Sequence, residues 1–256
     1  MPTIKVDGAE LYFEEHGCKN APALVLAHGM GGNHAIWFKQ LPILAERYRV
    51  IAFDHRGFGN SIDLTGEGRD AYVEDLRAIL DYLVIERAIL LGQSMGGGTC
   101  IAFSCTYPER VISLVVSDSL HALVESPDVK AIMDEARAAT RDLGQIDRVL
   151  GKRMQKEEPI AAVLYQQINS FNAVTRHNLK GSLPRFEPAQ LAKGGFPVLF
   201  IAGVEDVLFP IEAIRRVQQQ ITGSKLVELA NTGHSAFYES PKEFNAIVVA
   251  ALEEII

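Results

Sequence analysis

The stretch Ala88-Ile89-Leu90-Leu91-Gly92-Gln93-Ser94-Met95-Gly96-Gly97-Gly98-Thr99 decides how the chain is read. Its first four residues form an apolar run of strand length. From Gly97 the residues through Cys100, Ile101, Ala102, Phe103 and Ser104 open a helix pattern without a charge on any face. Between strand and helix stands Gly-x-Ser-x-Gly. A serine on a sharp strand-to-helix turn has its hydroxyl exposed and its backbone strained, the arrangement of a nucleophile elbow. Such a turn leaves its flanking positions no room for a β-carbon, so Gly92 and Gly96 are expected to be sterically required.

Outward from this point, strand-like runs fall at Thr3–Val6, Glu10–Glu15, Ala23–Ala27, Arg49–Phe53, Ala88–Leu91, Val111–Val116, Val198–Ala202 and Lys225–Leu229. The first two meet at Asp7-Gly8 and read as a hairpin. Later runs are almost continuously apolar, as strands covered by helices on both faces are. Most are separated by helix patterns. In Asp70 to Ile85, for example, Val73, Leu76, Ile79, Leu80 and Leu83 share one face. The expected fold is α/β, a mostly parallel, doubly wound eight-stranded sheet.

One stretch breaks the rhythm. Between Ser117 and Pro197 no strand signal appears. Ser126-Pro127-Asp128 reads as a helix start, with Ser as N-cap and Pro at the first position. Gly144 separates this helix from another beginning near Gln145, and Ile160, Leu164, Ile168 and Phe171 lie on one stripe of a third. The expectation is a helical cap over residues 120–194, inserted after the sixth strand, with residues 1–119 and 195–256 forming the core. A cap so placed covers the C-terminal strand edge, where α/β sheets bind ligands. Leu164 and Ile168 are then candidate pocket-wall residues, with packing onto the body as the alternative.

The chain has 25 Lys and Arg against 32 Asp and Glu, a net charge of −7. This balance argues against nucleic acid and anionic membrane as partners, since both select a positive surface. A small-molecule substrate is expected, with the protein a monomer or homodimer. Met1 to Val6 run into a strand pattern without a basic start or an apolar leader, and no apolar run reaches the length of a membrane span. Cys18, Cys100 and Cys105 are a sparse and odd set, read as reduced thiols of a cytoplasmic protein. No metal-ligand spacing and no Gly-x-Gly-x-x-Gly after a strand is present, so neither metal nor cofactor is expected.

Four motifs in chain order resemble those of the α/β-hydrolase superfamily: His28-Gly29-Met30-Gly31-Gly32, Asp54 to Ser61, Gly92 to Gly96, and Asp206 followed by Gly233-His234. The likeness covers the chain outside the expected cap. It implies Ser94 as nucleophile, His234 as the base that activates it and Asp206 as the acid that orients the imidazole. The order Ser, Asp, His is the one this fold uses. Glu205, beside Asp206, and Asp118, after the sixth strand, are rival acids. Asp118 is otherwise a cap of the turn that follows it. The resemblance also implies an oxyanion hole of the backbone N–H groups of Met95, at a helix N-terminus, and Met30.

The remaining histidines are read as structural (His28, His55) or as surface residues (His16, His34, His121, His177). The Arg-Gly of Asp54–Gly57 is read as a structural turn. Trp37, the sole tryptophan, is a candidate pocket-wall residue, with core packing as the alternative. Together the resemblance implies a serine hydrolase of small esters or lactones, similar to small bacterial esterases and enol-lactonases, acting through an acyl-enzyme. Two other readings are carried: a hydrolase of C–C bonds in vinylogous diketones, and a non-catalytic binding protein. A C–C hydrolase needs a polar clamp, and Arg137, Arg148, Arg153 and Arg185 are the cap's candidates for one.

Overall fold

The computed structural model describes residues 2–255. Nine strands form one sheet: β1 (Thr3–Val6), β2 (Ala9–His16), β3 (Ala23–Ala27), β4 (Arg49–Phe53), β5 (Ile62–Asp63), β6 (Ala88–Gln93), β7 (Val111–Ser117), β8 (Val198–Gly203) and β9 (Lys225–Leu229). Their order is β1-β2-β4-β3-β6-β7-β8-β9, with β5 paired to β2. All eight expected strands are present. The ninth, β5, spans two residues, too few to carry an alternation.

The start is antiparallel, β1 to β2 across Asp7-Gly8 and β2 to both β4 and β5, and the pairings from β4 through β3, β6, β7 and β8 to β9 are parallel. Parallel strands need crossovers, and helices such as Tyr72–Tyr82, Met95–Thr106 and Ile211–Gln218 supply them, with Pro241–Glu253 packing on after the last strand. They bury two apolar layers, one on each face. Val25, Leu90, Leu114 and Phe103 belong to one layer, and Leu24, Ile89, Val115 and Phe244 to the other. Neighbouring residues of β3 and β6 thus point to opposite layers, the period-2 rule at work in strands apolar throughout.

Strand order reverses at β3, which lies between β4 and β6. Crevices open beyond the strand C-termini at such reversals. The register pairs Ala27 of β3 with Gly92 of β6, so the loop from His28 and the turn at Ser94 leave the sheet side by side. Gln93 pairs with Ser117, and Ser117 with Ile201, which brings the β7 and β8 exits to the same edge.

Between β7 and β8 lie helices Pro127–Thr140, Gln145–Val149, Lys152–Glu157, Pro159–Ser170 and Pro188–Lys193, with an isolated bridge between Leu123 and Phe186. Ser126 occupies the N-cap of the first, as expected, but its hydroxyl bonds the Asp128 carboxylate instead of a backbone amide. The insert is tied to the body by the Tyr238 hydroxyl donating to the Ala161 carbonyl (2.7 Å) and Asn33 Nδ2 donating to the Ile168 carbonyl (3.1 Å). The stripe expected on Pro159–Ser170 is not the buried one. Of its four residues only Ile168 is buried; Ile160, Leu164 and Phe171 are exposed, and Tyr165 is buried in their place. Tyr165 decides the rotation by packing edge-on against Tyr238, ring centroids 5.3 Å apart. Among the described residues no helix is long and apolar enough to cross a membrane.

Candidate active site

The elbow forms because β6 runs directly into helix Met95–Thr106 with one residue between them. Ser94 takes φ 50° and ψ −117°, a region that side chains rarely occupy. The fold holds it there. Ser94 N donates to the Ser117 carbonyl at 2.9 Å, and the Ser94 carbonyl accepts from Ser119 Oγ at 2.7 Å. A β-carbon on Gly92 would collide with the Gly96 carbonyl, and one on Gly96 with the carbonyls of Ala27 and His28. Gly96 is therefore required by β3, not by Gly92.

The residues following β8 and β9 meet near this turn. His234 Nδ1 lies 2.8 Å from Asp206 Oδ2, both groups buried. Asp206 Oδ1 accepts from the Leu208 and Phe209 amides at 2.7 and 3.1 Å, which fixes the carboxylate plane. Phe209 in turn stacks on the imidazole, centroids 5.7 Å apart. Burial pulls the His234 pKa down, but the charge and hydrogen bond of Asp206 outweigh it, and the result is raised. Among the described residues no hydrogen bond joins His234 to the Ser94 hydroxyl, a contact that often tightens only with substrate bound.

The rival acids separate cleanly. Glu205 is exposed and only its backbone is engaged, donating to the Thr232 carbonyl. Asp118 is fully enclosed, but it faces other groups. Its Oδ1 accepts from Gly203 N (2.8 Å), and its Oδ2 from Ser117 Oγ (2.7 Å) and Ala236 N (3.3 Å). It ties the β8 and β9 exits together and does not cap its own turn. Burial, and then the nearby charge of Asp206, push its carboxyl up.

Two residues that the sequence did not single out position the His234 loop. Gln93 Nε2 donates to the His234 carbonyl at 3.0 Å. The buried Glu239 carboxylate accepts from Gly151 N (3.0 Å), Gly233 N (3.1 Å) and Ser235 N (3.3 Å). Neither has a sequence signal, because each acts on a backbone distant along the chain or hidden in a short helix.

Met95 N is the first amide of its helix, and Met30 follows β3. Among the described residues neither N–H donates to a protein oxygen. Gln145 from the insert reaches the Met30 carbonyl at 3.4 Å. Both methionines and Ser94 line a cavity of about 540 Å³, walled by Arg69 and Phe209 from the body and by Leu120, His121, Met133 and several arginines from the stretch between β7 and β8. His234 opens onto an adjoining hollow of about 860 Å³, and Arg148 lines both.

The pocket-wall expectations fail. Trp37 is wholly buried against Phe237, centroids 4.5 Å apart, in the core layer that also holds Leu24 and Val115. Leu164 faces solvent and Ile168 packs inward, and neither lines the cavity. Of the insert's arginines, Arg137, Arg148 and Arg185 do line it, whereas Arg153 lines the adjoining hollow.

His28 and His55 are buried and joined at 3.2 Å, with His55 Nε2 reaching Thr99 Oγ1 at 3.0 Å. Arg56 is buried in a two-pronged pair with Asp75, at 2.7 and 2.6 Å. His34 is not a plain surface residue, since it is half-buried with Nδ1 2.9 Å from Asp54. His121 is exposed, as expected, and also lines the cavity.

Comparison with known proteins agrees with this fold. The chain is 28% identical to a putative carbamate hydrolase RutD of a Caulobacter strain, over 97% of both chains. It is 28% identical to 3-oxoadipate enol-lactonase 1 of Acinetobacter baylyi, over 97% of this chain and 95% of the other. It superposes on an enol-lactonase from Burkholderia xenovorans with a TM-score of 0.79 at 25% identity, covering 98% of this chain and 100% of that one. A family model described as alpha/beta hydrolase fold matches residues 22–156. With this match and the sheet described above, the chain belongs to the alpha/beta hydrolase family.

Proposed function

We propose that the protein is a serine hydrolase of small carboxylic esters or lactones, with Ser94, His234 and Asp206 as its catalytic residues. The observation that carries this reading is the strained Ser94 lining the cavity together with the buried Asp206–His234 pair leaving the same sheet edge. Its relatives' names, a carbamate hydrolase and enol-lactonases, are of the same kind.

In this mechanism Ser94 Oγ attacks the carbonyl carbon while its proton passes to His234 Nε2. The tetrahedral oxyanion is held by the amides of Met30 and Met95, which have no other acceptor. Collapse expels the alkoxide, which takes the proton from His234, and leaves an acyl-Ser94. Water then attacks the acyl carbon, giving its proton to His234, and the second collapse returns that proton to Ser94 and frees the acid. Asp206 stabilises the imidazolium formed in each half and holds the tautomer with Nδ1 protonated.

A fluorophosphonate probe with peptide mapping, run beside p-nitrophenyl acetate and butyrate turnover, tests this. Labelling of Ser94 with ester turnover is expected. An unlabelled Ser94 in folded protein would overturn it. Labelling with negligible ester turnover would favour the second reading, C–C hydrolysis, which the arginines over the cavity support as a polar clamp.

A further inference from the structure

The chain is acidic, yet the cavity over Ser94 is walled by Arg69, Arg137, Arg141, Arg148, Arg176 and Arg185. Its only acid is Glu125, which is spent on Arg137. Elsewhere arginines are paired, as in Arg49 with Glu15, Arg56 with Asp75 and Arg215 with Glu228. Among the described residues, those without a carboxylate within salt-bridge distance are Arg69, Arg87, Arg141, Arg148, Arg176 and Arg185. All but Arg87, which donates to the Val111 carbonyl, line this one cavity.

Arg148 and Arg176 carry the argument. Arg176 is fixed by donating to the carbonyls of Arg141 (3.2 Å) and Leu143 (3.5 Å), contacts that hold the guanidinium without neutralising it. Arg148 is partly buried, and its Nε is enclosed with no acceptor. Burial, and then the charge of Arg176, work against its cation. Two guanidinium groups lining one cavity without a counter-charge are unfavourable, and an unmatched buried donor adds to the cost. Both penalties disappear when an oxyanion lies between them, since the planar fork of arginine matches the oxygens of a carboxylate or phosphate. On another wall, Arg69 and Arg185 share a side pocket of about 170 Å³ with Met95 and His121. Arg69 is anchored there by donating to the Gly181 carbonyl at 2.9 Å.

We infer that the cavity selects an ester or lactone carrying at least one further oxyanion, a carboxylate or a phosphate, gripped by Arg148 and Arg176. This rests on the hydrolase reading above and adds the substrate class to it. Ordinary neutral esters fill the space without using its charge.

The test compares p-nitrophenyl butyrate with the mono-p-nitrophenyl ester of glutaric acid, which differs by a terminal carboxylate. The wild type is expected to favour the glutarate ester in kcat/KM by about tenfold or more, the yield of one charge-assisted pair. Arg148→Gln and the exposed-site variant Arg176→Gln should each reduce that ratio by about tenfold, mainly through KM. A ratio near one that neither variant changes would overturn the substrate class while leaving ester hydrolysis standing. If neither ester is turned over and Ser94 does not label, the hydrolase reading fails by itself. Calorimetric titration with glutarate and with inorganic phosphate then decides the anion site alone. Binding of either that weakens in Arg148→Gln supports it and identifies the source, carboxylate or phosphate. No binding of either overturns it.

Discussion

Gln93 and His234, far apart in the chain, are joined by a side-chain amide donating to a backbone carbonyl at 3.0 Å, so the neighbour of the candidate nucleophile holds the loop of the candidate base. Both groups are buried. Gln93→Ala is expected to cost about 1–3 kcal/mol of stability by leaving the carbonyl unpaired. It should also lower kcat more than it raises KM, because the imidazole loses its fixed position while the cavity keeps its walls. Urea denaturation and steady-state kinetics on one ester check both. An unchanged kcat would mean that Asp206 and Glu239 suffice to hold the loop.

Ser94→Ala and Ser94→Gly remove the same hydroxyl, and each is expected to lose about a millionfold in kcat. They differ in the backbone. At φ 50° alanine keeps the strain, worth about 1–3 kcal/mol, whereas glycine releases it at an entropic cost of about 0.5–1 kcal/mol. The glycine variant should therefore unfold at the higher urea concentration. The opposite ranking would show that the elbow is unstrained.

The two buried acids should part company. Asp206→Asn is expected to cost about four decades in kcat through the wrong imidazole tautomer, and Asp118→Asn far less. In the proposed mechanism the neutral His234 imidazole is the base, and its pKa is raised, so kcat/KM should fall on acidification with a midpoint above the ordinary histidine value of 6.5. The residual activity of Asp206→Asn should show that limb at lower pH, since the charge that raised it is gone. Asp118 has its carboxyl pushed up, so its protonated form favours the fold. That contribution is complete below the ordinary carboxyl range and is lost as pH rises through the folded value. Asp118→Asn, which cannot ionise, should gain melting temperature relative to the wild type as pH increases. A pH-independent difference would show that Asp118 has the same pKa folded and unfolded.

Positions expected at the pocket wall should behave as core or surface. Ile168→Ala is expected to cost about 2–5 kcal/mol. Leu164→Ser should stay within about 0.5 kcal/mol of the wild type. Neither should change the ratio of activities on short and long acyl esters. A shift in that ratio with Leu164→Ser would place the residue against substrate after all.

What the sequence made legible, and what it did not, divides along a physical line. Strands such as Ala23–Ala27 and the turn at Gly92 to Gly96 are local patterns, and once they are placed, sheet register alone brings Ser94, Asp206 and His234 to one edge. The stripe on Pro159–Ser170 is local too, but an apolar helix offers more than one face, and Tyr165 meeting Tyr238 made the choice. Trp37 was ambiguous for the same reason. The cationic wall was legible only in part: Arg137, Arg148 and Arg185 stood out as candidates for a polar clamp, but Arg69, Arg141 and Arg176 come from separate segments, and nothing short of the folded chain sets them around the same space. Gln93 and Glu239 bind backbone, which leaves no trace in residue type.

The guanidinium wall bears on the end of the catalytic cycle as much as on its beginning. Opening an ester or lactone creates a carboxylate, so the species left in the cavity is one charge more negative than the one that entered. On the proposed substrate class, the wall that draws substrate in is expected to hold the acid product as well, so that its departure adds to the turnover time without replacing the chemical step. Added salt is then expected to weaken capture and lower kcat/KM on an anionic ester, while loosening the product that remains.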